Sequence, residues 1–267
     1  PGNSMGAVEY MVAGFTEMGT TNRALMRFDV ASVIPTGSLL REVEFFVAVT
    51  KQASNSPRPA PFGLRRMLRS WGEGDNYYID GPGLGEPADP GDATWMNRFF
   101  STNAWAVPGG AEGIDYAEAI TSSTEINGLG EFPFEGTPQM LEDVRMWIEN
   151  PGTNFGWMLK SEEENPEGTT AAAKRFASRE DPGNAPRLVI TYTPPPLITA
   201  PQLTNGAIQF SFDAEANGIY SVEERAAFEG TNLWNTITNF GFVLEPTNFT
   251  ARISMTSTQR FFRVHVD

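Results

Sequence analysis

Three consecutive glutamates, Glu162, Glu163 and Glu164, are the carboxylates whose spacing first suggests acid–base chemistry. Glycoside hydrolysis needs two carboxyl groups roughly 5 to 9 Å apart, on rigid elements on either side of a cleft. Consecutive acids in a turn point in divergent directions, so we interpret these three as a solvated acidic loop. The only histidine, His265, follows a strand-like alternation that turns it toward solvent. A triad or a histidine-based metal site is therefore not expected, and we predict that the protein is not an enzyme.

Four aspartates, Asp75, Asp80, Asp89 and Asp92, lie in a loop rich in glycine and proline. Hard oxygen ligands of this kind suit calcium, so these residues are the candidate metal ligands. Their spacing does not match an EF-hand, and ordinary solubilising loop acids are the competing interpretation. We expect no cofactor unless these aspartates bind calcium.

Residues 174–192 read KRFASREDPGNAPRLVITY and place a charged cluster directly before a strand. A catalytic cluster, a ligand clamp and a structural tie are the three alternatives. We interpret the cluster as structural, because Arg179 can form a bidentate tie to a carboxylate such as Glu180 or Asp29 between neighbouring strands. Residues 181–184 then turn the chain into the last strand. On this interpretation, Arg179→Ala mainly lowers the melting temperature.

Sugar-binding β-sandwiches use exposed aromatic rings that stack on pyranose faces. The aromatic candidates in this sequence are Trp71, Tyr77, Tyr78, Trp95, Phe99 and Trp105. We interpret most of the tryptophans as core residues. Tyr77 and Tyr78 lie in the acidic loop, so they are the predicted ligand-binding residues.

The chain is strongly acidic, with 33 acidic and 19 basic residues and a formal net charge of −14. Such a surface repels nucleic acid and anionic membranes, so neither is an expected partner. Simple solubility is the alternative reason for the charge. No apolar run approaches the ~20 residues that span a bilayer, so membrane insertion is not expected.

Cysteine is absent from the sequence. This excludes disulfides, thiolate catalysis and cysteine-based metal sites. It also favours an exported protein, and we expect an extracellular or cell-surface location. The first residues, PGNS, are interpreted as a mature or trimmed start.

The elements that position these residues are predicted from hydrophobic periodicity. Apolar and polar residues alternate in short segments at 25–30, 43–49 and 188–192, with β-branched and aromatic residues that are typical of strands. Turn clusters rich in proline, glycine and asparagine separate the segments. Strands without intervening helices favour a sandwich or barrel, so we predict an all-β fold built on an antiparallel β-sandwich.

One short helix is predicted after residue 136. Thr137 is a suitable N-cap, and Pro138 suits the first helical position. The helix ends before Pro151. Four apolar residues share one face at helical spacing and are expected to pack over an open end of the sandwich: Leu141, Val144, Trp147 and Ile148.

A proline-rich linker at 194–202 separates two predicted domains, 1–193 and 203–267. Alternating apolar residues in the second domain predict about four to six strands and a small immunoglobulin-like β module. A module of about 65 residues is marginally stable alone, so we expect it to dock on its neighbour or on another chain.

A series of ordered motifs covers residues 2 to 193. They are RALMRFD (23–29), LLREVEF (39–45), RSWGEG (69–74), ATWMNR (93–98), Trp105 with PGG (108–110), WIENP (147–151), NFGWMLK (154–160), and FASRE (176–180) with PRL (186–188). In these motifs the first domain resembles the DNRLRE-type domain family. The resemblance implies a jelly-roll-like β-sandwich of secreted or cell-surface bacterial proteins.

Some members of that family are alginate-binding carbohydrate-binding modules. Alginate binding relies on basic residues, and the densest basic run here is Arg65, Arg66 and Arg69. Strand alternation places these arginines on both faces, so the sequence does not match a basic stripe.

Family members usually begin with a strand before the segment that PGNSMG (1–6) resembles. A sandwich without that strand exposes a hydrogen-bonding edge. Truncation or an altered N-terminus is one explanation. Donor-strand complementation by another molecule is the other, and head-to-tail contacts of that kind build filaments.

These observations predict a non-catalytic extracellular protein, a carbohydrate-binding or cell-surface adhesion module. The alternative is a structural subunit of an extracellular filament, sheath or surface layer. The expected partner is a polysaccharide or further copies of the same chain.

Overall fold

A computed structural model describes residues 2–52, 59–77, 85–164, 172–227, 233–255 and 260–267. The chain divides into two compact units, Pro1–Val30 with Glu42–Thr191, and Ala31–Arg41 with Tyr192–Asp267. We refer to them as the first and the second unit. The predicted domain boundary at 193 lies close to the observed one, but nothing in the sequence pattern indicated that Ala31–Arg41 belongs to the second unit.

The first unit is built almost entirely of antiparallel strands. The strands that lie wholly or mostly in it are β1 (Asn3–Ser4), β2 (Tyr10–Phe15), β3 (Thr21–Asn22), β4 (Ala24–Met26), β5 (Leu39–Gln52), β6 (Ala60–Met67), β7 (Glu86–Pro87), β8 (Asn97–Phe99), β9 (Asn103–Ala104), β10 (Tyr116–Ile126), β11 (Gly130–Phe134), β12 (Trp157–Ser161), β13 (Lys174–Ala177) and β14 (Arg187–Thr193).

Two sheets form the body of this unit. One has the strand order β10-β6-β12-β4, and the other has the order β11-β5-β13-β2-β3, with β14 also paired to β5. Two small pairs, β1 with β7 and β8 with β9, lie in the connections. The burial pattern of β14 alternates as predicted over residues 187–192, with Leu188, Ile190 and Tyr192 half-buried and Arg187, Val189 and Thr191 exposed.

The two sheets face each other across an aromatic core. The ring centroids of Phe45 on β5 and Trp157 on β12 are 6.2 Å apart. Phe62 on β6 meets Phe176 on β13 edge-on at 5.2 Å. All four side chains are fully buried, and burial of such large rings dominates the energetics of a core. The predicted all-β sandwich is confirmed.

The helix α1 (Pro138–Glu149) has the predicted bounds, with Thr137 accepting the Met140 N–H at 3.0 Å as its N-cap. Its buried residues are Met140, Asp143, Val144, Trp147 and Ile148. Leu141, predicted for the core, is only half-buried, and the buried face of the helix includes Asp143 instead. A 3-10 turn (Pro151–Thr153) follows. Among the described residues, no helix combines the length and the apolar character needed to cross a membrane.

The second unit contains six strands within its described residues: β15 (Ile198–Thr204), β16 (Ala207–Ala214), β17 (Gly218–Arg225), β18 (Asn235–Val243), β19 (Thr247–Ser254) and β20 (Phe261–Val266). They form two three-stranded sheets, β15-β16-β19 and β18-β17-β20. Phe212 of one sheet packs on Tyr220 and Phe240 of the other, at 6.2 and 5.3 Å between ring centroids. The small β module is confirmed, although the predicted linker at 194–202 overlaps β15.

Candidate functional site

The candidate site is a surface of the first unit on which four segments are hydrogen-bonded to one another. The Ala7 N–H donates to the Asn76 carbonyl at 3.0 Å, and the Ser178 N–H donates to the Glu9 carbonyl at 3.1 Å. The β1–β7 pair adds the fourth segment. We refer to this surface as the acidic corner, and define it as residues 2–9, 72–77, 85–92 and 178–184.

Tyr77 presents an exposed ring on the acidic corner, with 55% of the residue accessible. Its neighbour Asn76 is buried, and the Asn76 side-chain amide donates to Asp92 Oδ2 at 2.9 Å and to the Pro87 carbonyl at 3.2 Å. The backbone that carries the ring is therefore anchored. The predicted exposure of Tyr77 is confirmed, whereas Tyr78, the other predicted ligand-binding residue, lies outside the described residues.

Asp92 holds the acidic corner together from the inside. The residue is 4% exposed, and its Oδ2 also accepts the Asp89 N–H at 3.0 Å. Gly74 passes so close, with φ +77°, that a Cβ there would lie 2.7 Å from the Asp92 carboxyl carbon. Asp92 is thus a structural acceptor for the Asn76 side chain and the Asp89 backbone.

The structure does not bring the predicted calcium ligands together in the part of the chain that it describes. Asp75 and Asp89 are exposed, Asp92 is buried, and Asp80 lies outside the described residues. No group of three or more acidic or histidine side chains within the described ranges is arranged to hold a metal ion. The calcium hypothesis therefore gains no geometric support.

Arg179 lies in a turn and not between strands, and its side chain is 68% exposed. Arg179 Nε donates to Glu180 Oε1 at 2.8 Å, and Nη1 lies 3.1 Å from Glu73 Oε2. Glu180 is the predicted partner, and Glu73 takes the place that we expected for Asp29. Exposed ion pairs contribute about 0–1 kcal/mol to stability. The expected strand tie is therefore corrected to a surface link between two loops.

Two pKa values reflect the hydrogen bonds of this turn. The hydrogen bond to Glu180 and the charge of Glu73 raise the pKa of Arg179. Asp181 Oδ1 accepts the backbone N–H groups of Gly183 at 2.9 Å and Asn184 at 3.1 Å. The Asn184 side chain, and then these backbone donors, lower the pKa of Asp181. The predicted turn at 181–184 is confirmed.

The acidic corner concentrates the negative charge of the protein. Its four segments contain eight carboxylates and one cation, Arg179, a net charge of −7 out of the chain's −14. Such a density of like charge makes the surface unfavourable for anions. The carboxylates are Glu9, Glu73, Asp75, Glu86, Asp89, Asp92, Glu180 and Asp181.

Away from the acidic corner, Arg23 is a structural hub that the sequence interpretation missed. Its Nε and Nη2 donate to the two Glu164 oxygens at 2.8 and 2.6 Å, and Nη1 donates to the Gly109 carbonyl at 2.7 Å. The guanidinium lies over the rings of Trp95 and Tyr116 at 5.4 and 5.5 Å. Burial alone lowers the pKa of Arg23, but Glu164 more than offsets this, so the pKa lies above its ordinary value. For Tyr116, whose charged form is the phenolate, burial raises the pKa.

The glutamates at 162 and 164 are not the solvated loop that we expected. Glu162 Oε2 accepts from Arg65 Nη2 at 2.7 Å, and the side chains of Glu162 and Glu164 are only 22% and 16% exposed. Glu162 lies across Gly63, where a Cβ would come within 2.2 Å of Glu162 Oε1. Each of these two carboxylates is therefore engaged by an arginine within the fold.

Asp143 of α1 is a second buried hub, with no exposed surface. Its Oδ2 accepts from Thr121 Oγ1 at 2.6 Å and from Trp157 Nε1 at 2.9 Å, while Oδ1 lies 3.0 Å from Arg66 Nε. Arg65 and Arg66 reach different elements, as their predicted alternation required. A buried charge with several partners fixes the helix to the sheet.

The other aromatic candidates are buried or half-buried, in agreement with the structural role predicted for the tryptophans. Trp71 Nε1 donates to the Phe155 carbonyl at 2.8 Å, and Trp105 Nε1 donates to the Thr94 carbonyl at 2.9 Å. These residues are Trp71, Trp95, Phe99 and Trp105.

His265 lies on β20 of the second unit, where Val264 and Val266 are buried at 8% and 3% exposure. The His265 side chain is 36% exposed, and its Nε2 lies 2.9 Å from Asp267 Oδ1. The predicted outward orientation is confirmed.

No protein-family model matches the chain, and no curated protein was found to be similar to it. The resemblance to the DNRLRE-type domain family therefore stays a prediction from sequence motifs. Residues of those motifs do meet in the structure. Arg23 contacts Trp95 and Gly109, and Asn154 Nδ2 donates to the Phe28 carbonyl at 2.7 Å.

Proposed function

We propose that this protein is a non-catalytic, extracellular β-sandwich module that binds carbohydrate at the bacterial cell surface. The supporting observation is the ring of Tyr77, which is 55% exposed on loops anchored by Asn76 and Asp92. An exposed aromatic ring on an anchored backbone stacks on a pyranose face with little loss of conformational entropy. Adhesion to surface polysaccharide is the role that such a module serves.

The buried charges support a binding role over catalysis. Glycoside hydrolysis requires two carboxyl groups that face the substrate across a cleft. Glu162, Glu164 and Asp143 are each engaged by an arginine within the fold. These ion pairs stabilise the sandwich, which leaves the acidic corner as the surface for a ligand.

A substitution of Tyr77 tests this proposal. In native affinity electrophoresis through gels that contain soluble polysaccharides, we expect at least one polymer to retard the wild-type protein. Tyr77→Ala should weaken that retention about tenfold or more, since loss of one stacking residue at a site removes over 1 kcal/mol. Leu129→Ala, at a residue that is 61% exposed on another loop, is the matched control and should bind as wild type. Equal retention of both variants would exclude Tyr77 as the binding residue.

A structural subunit of a filament or surface layer is the second candidate function. β4 lies at the end of its sheet, and an end strand offers backbone groups to a strand from another copy. Its inward residues Ala24 and Met26 are buried at 5% and 8% exposure, so this edge offers hydrogen bonds without an exposed apolar groove. Electron micrographs of the purified protein would show fibres if donor-strand assembly occurs.

A further inference from the structure

We propose that the acidic corner selects neutral glycans, and that Arg179 donates hydrogen bonds to their hydroxyl groups beside the ring stacked on Tyr77. This inference rests on the proposed function. It adds a substrate class and a second contact residue for the same site.

The geometry of Arg179 is that of a positioned donor. Glu180 holds Nε at 2.8 Å and Glu73 lies 3.1 Å from Nη1, while 68% of the side chain is exposed. Among the described residues, Nη2 donates no hydrogen bond. A planar guanidinium held by two carboxylates loses little further freedom when a hydroxyl binds.

Arg179 and Tyr77 are connected through one loop. Glu73, the ion-pair partner of Arg179, precedes Tyr77 by four residues, so the Cα atoms of Glu73 and Tyr77 are at most about 14 Å apart. The Ala7–Asn76 hydrogen bond fixes the same loop. In the proposed complex, an oligosaccharide of several sugars places one sugar on the ring and another at the guanidinium.

The charge of the acidic corner sets the substrate class. The acidic corner contains eight carboxylates and one cation, Arg179, which two of the carboxylates, Glu73 and Glu180, already neutralise. A uronate or sulfated polymer brings about one negative charge per sugar against a net charge of −7. Repulsion at about 10 Å in water, summed over several charges, weakens binding about tenfold at low salt. Neutral sugars meet no such penalty, so the corner disfavours alginate-like polymers.

Matched pairs of polymers with the same backbone test this selection. The pairs are hydroxyethyl-cellulose with carboxymethyl-cellulose, methyl-esterified homogalacturonan with polygalacturonate, and β-1,4-mannan with polymannuronate. In affinity electrophoresis at low salt, we expect a neutral polymer to retain the protein at least about tenfold more strongly than its carboxylated partner. The double variant Glu73→Gln, Asp75→Asn removes two negative charges, so the ratio of retention by the neutral polymer to retention by the carboxylated polymer should decrease.

Arg179→Ala should weaken retention by the neutral polymer about tenfold and leave the melting temperature nearly unchanged. The control is Arg187→Ala, an arginine with 53% side-chain exposure that pairs with Glu131 on the sandwich. That variant should bind as wild type.

The outcomes separate the two proposals. If carboxylated polymers bind as tightly as neutral ones, or if Arg179→Ala matches Arg187→Ala, the inference is overturned while carbohydrate binding stands. If no polymer retains the protein, both proposals fail.

Discussion

Arg23 and Arg179 show how burial decides what an ion pair does. Arg23 and its partner Glu164 have side chains that are 15% and 16% exposed, and the guanidinium also lies against two aromatic rings. Arg179 is 68% exposed, and water screens both of its carboxylate contacts. Removing one member of a buried pair leaves an uncompensated charge, whereas removing an exposed member leaves a hydrated one.

We therefore predict that Arg23→Met lowers the free energy of unfolding by about 3 kcal/mol, because Glu164 and the Gly109 carbonyl lose their donor. Arg179→Ala should lower it by less than about 1 kcal/mol. Urea unfolding followed by tryptophan fluorescence measures both. Equal losses in the two variants would contradict the roles assigned to these arginines.

Asp181 gives a pH-dependent prediction at the same scale. Its pKa is lowered in the folded protein by the Asn184 side chain and then by backbone donors. The associated stabilisation is therefore present above the unfolded-state pKa and is lost as the pH falls through the folded-state value. NMR titration should find the pKa of Asp181 below that of an ordinary aspartate. The substitution Asn184→Ala should raise the pKa of Asp181 toward the ordinary value. A pKa that does not respond to Asn184→Ala would argue against this turn.

At the scale of elements, a glycine on β6 leaves space for the side chain of Glu162, which follows β12. Gly63 of β6 lets the Glu162 side chain cross the strand and reach Arg65. The same two strands are neighbours in the four-stranded sheet, with Gly63 opposite Lys160. A side chain at position 63 would occupy the space of the Glu162 carboxylate.

Gly63→Ala is accordingly expected to destabilise the protein by about 2 kcal/mol, the usual cost of overpacking. Gly128→Ala is the control, because a Cβ there has no neighbour within 4 Å. Thermal unfolding of both variants by circular dichroism is sufficient. If the Gly63→Ala variant unfolds at the same temperature as the Gly128→Ala variant, the Glu162 side chain moves aside without a loss of stability.

The elements themselves are what the sequence predicts best. Alternation at residues 188–192 and the Thr137-Pro138 start signal depend only on near neighbours, and both agree with the structure. The partners of Arg179 and Glu162 depend on which loops and strands become neighbours. Glu73 lies more than 100 residues from Arg179, and Arg65 lies 97 residues from Glu162. Local patterns carry no information on such pairs. They therefore do not reveal that Glu73, and not Asp29, pairs with Arg179, or that arginines bind Glu162 and Glu164.

At the scale of the whole molecule, the two units differ in net charge. The second unit contains seven acidic and five basic residues, a net charge of −2, so −12 of the chain's −14 belongs to the first unit. More than half of that charge lies on the acidic corner. The proposed charge selection of a ligand is thus assigned to the first unit alone.

The most direct test of this account is hydrogen–deuterium exchange of the full chain, with and without each of the three neutral polymers. The account predicts that at least one polymer slows exchange in peptides that cover residues 72–77 and 178–184, with no change in the second unit. Protection that falls on the second unit, on strands β5 and β14, or nowhere with any polymer would contradict it.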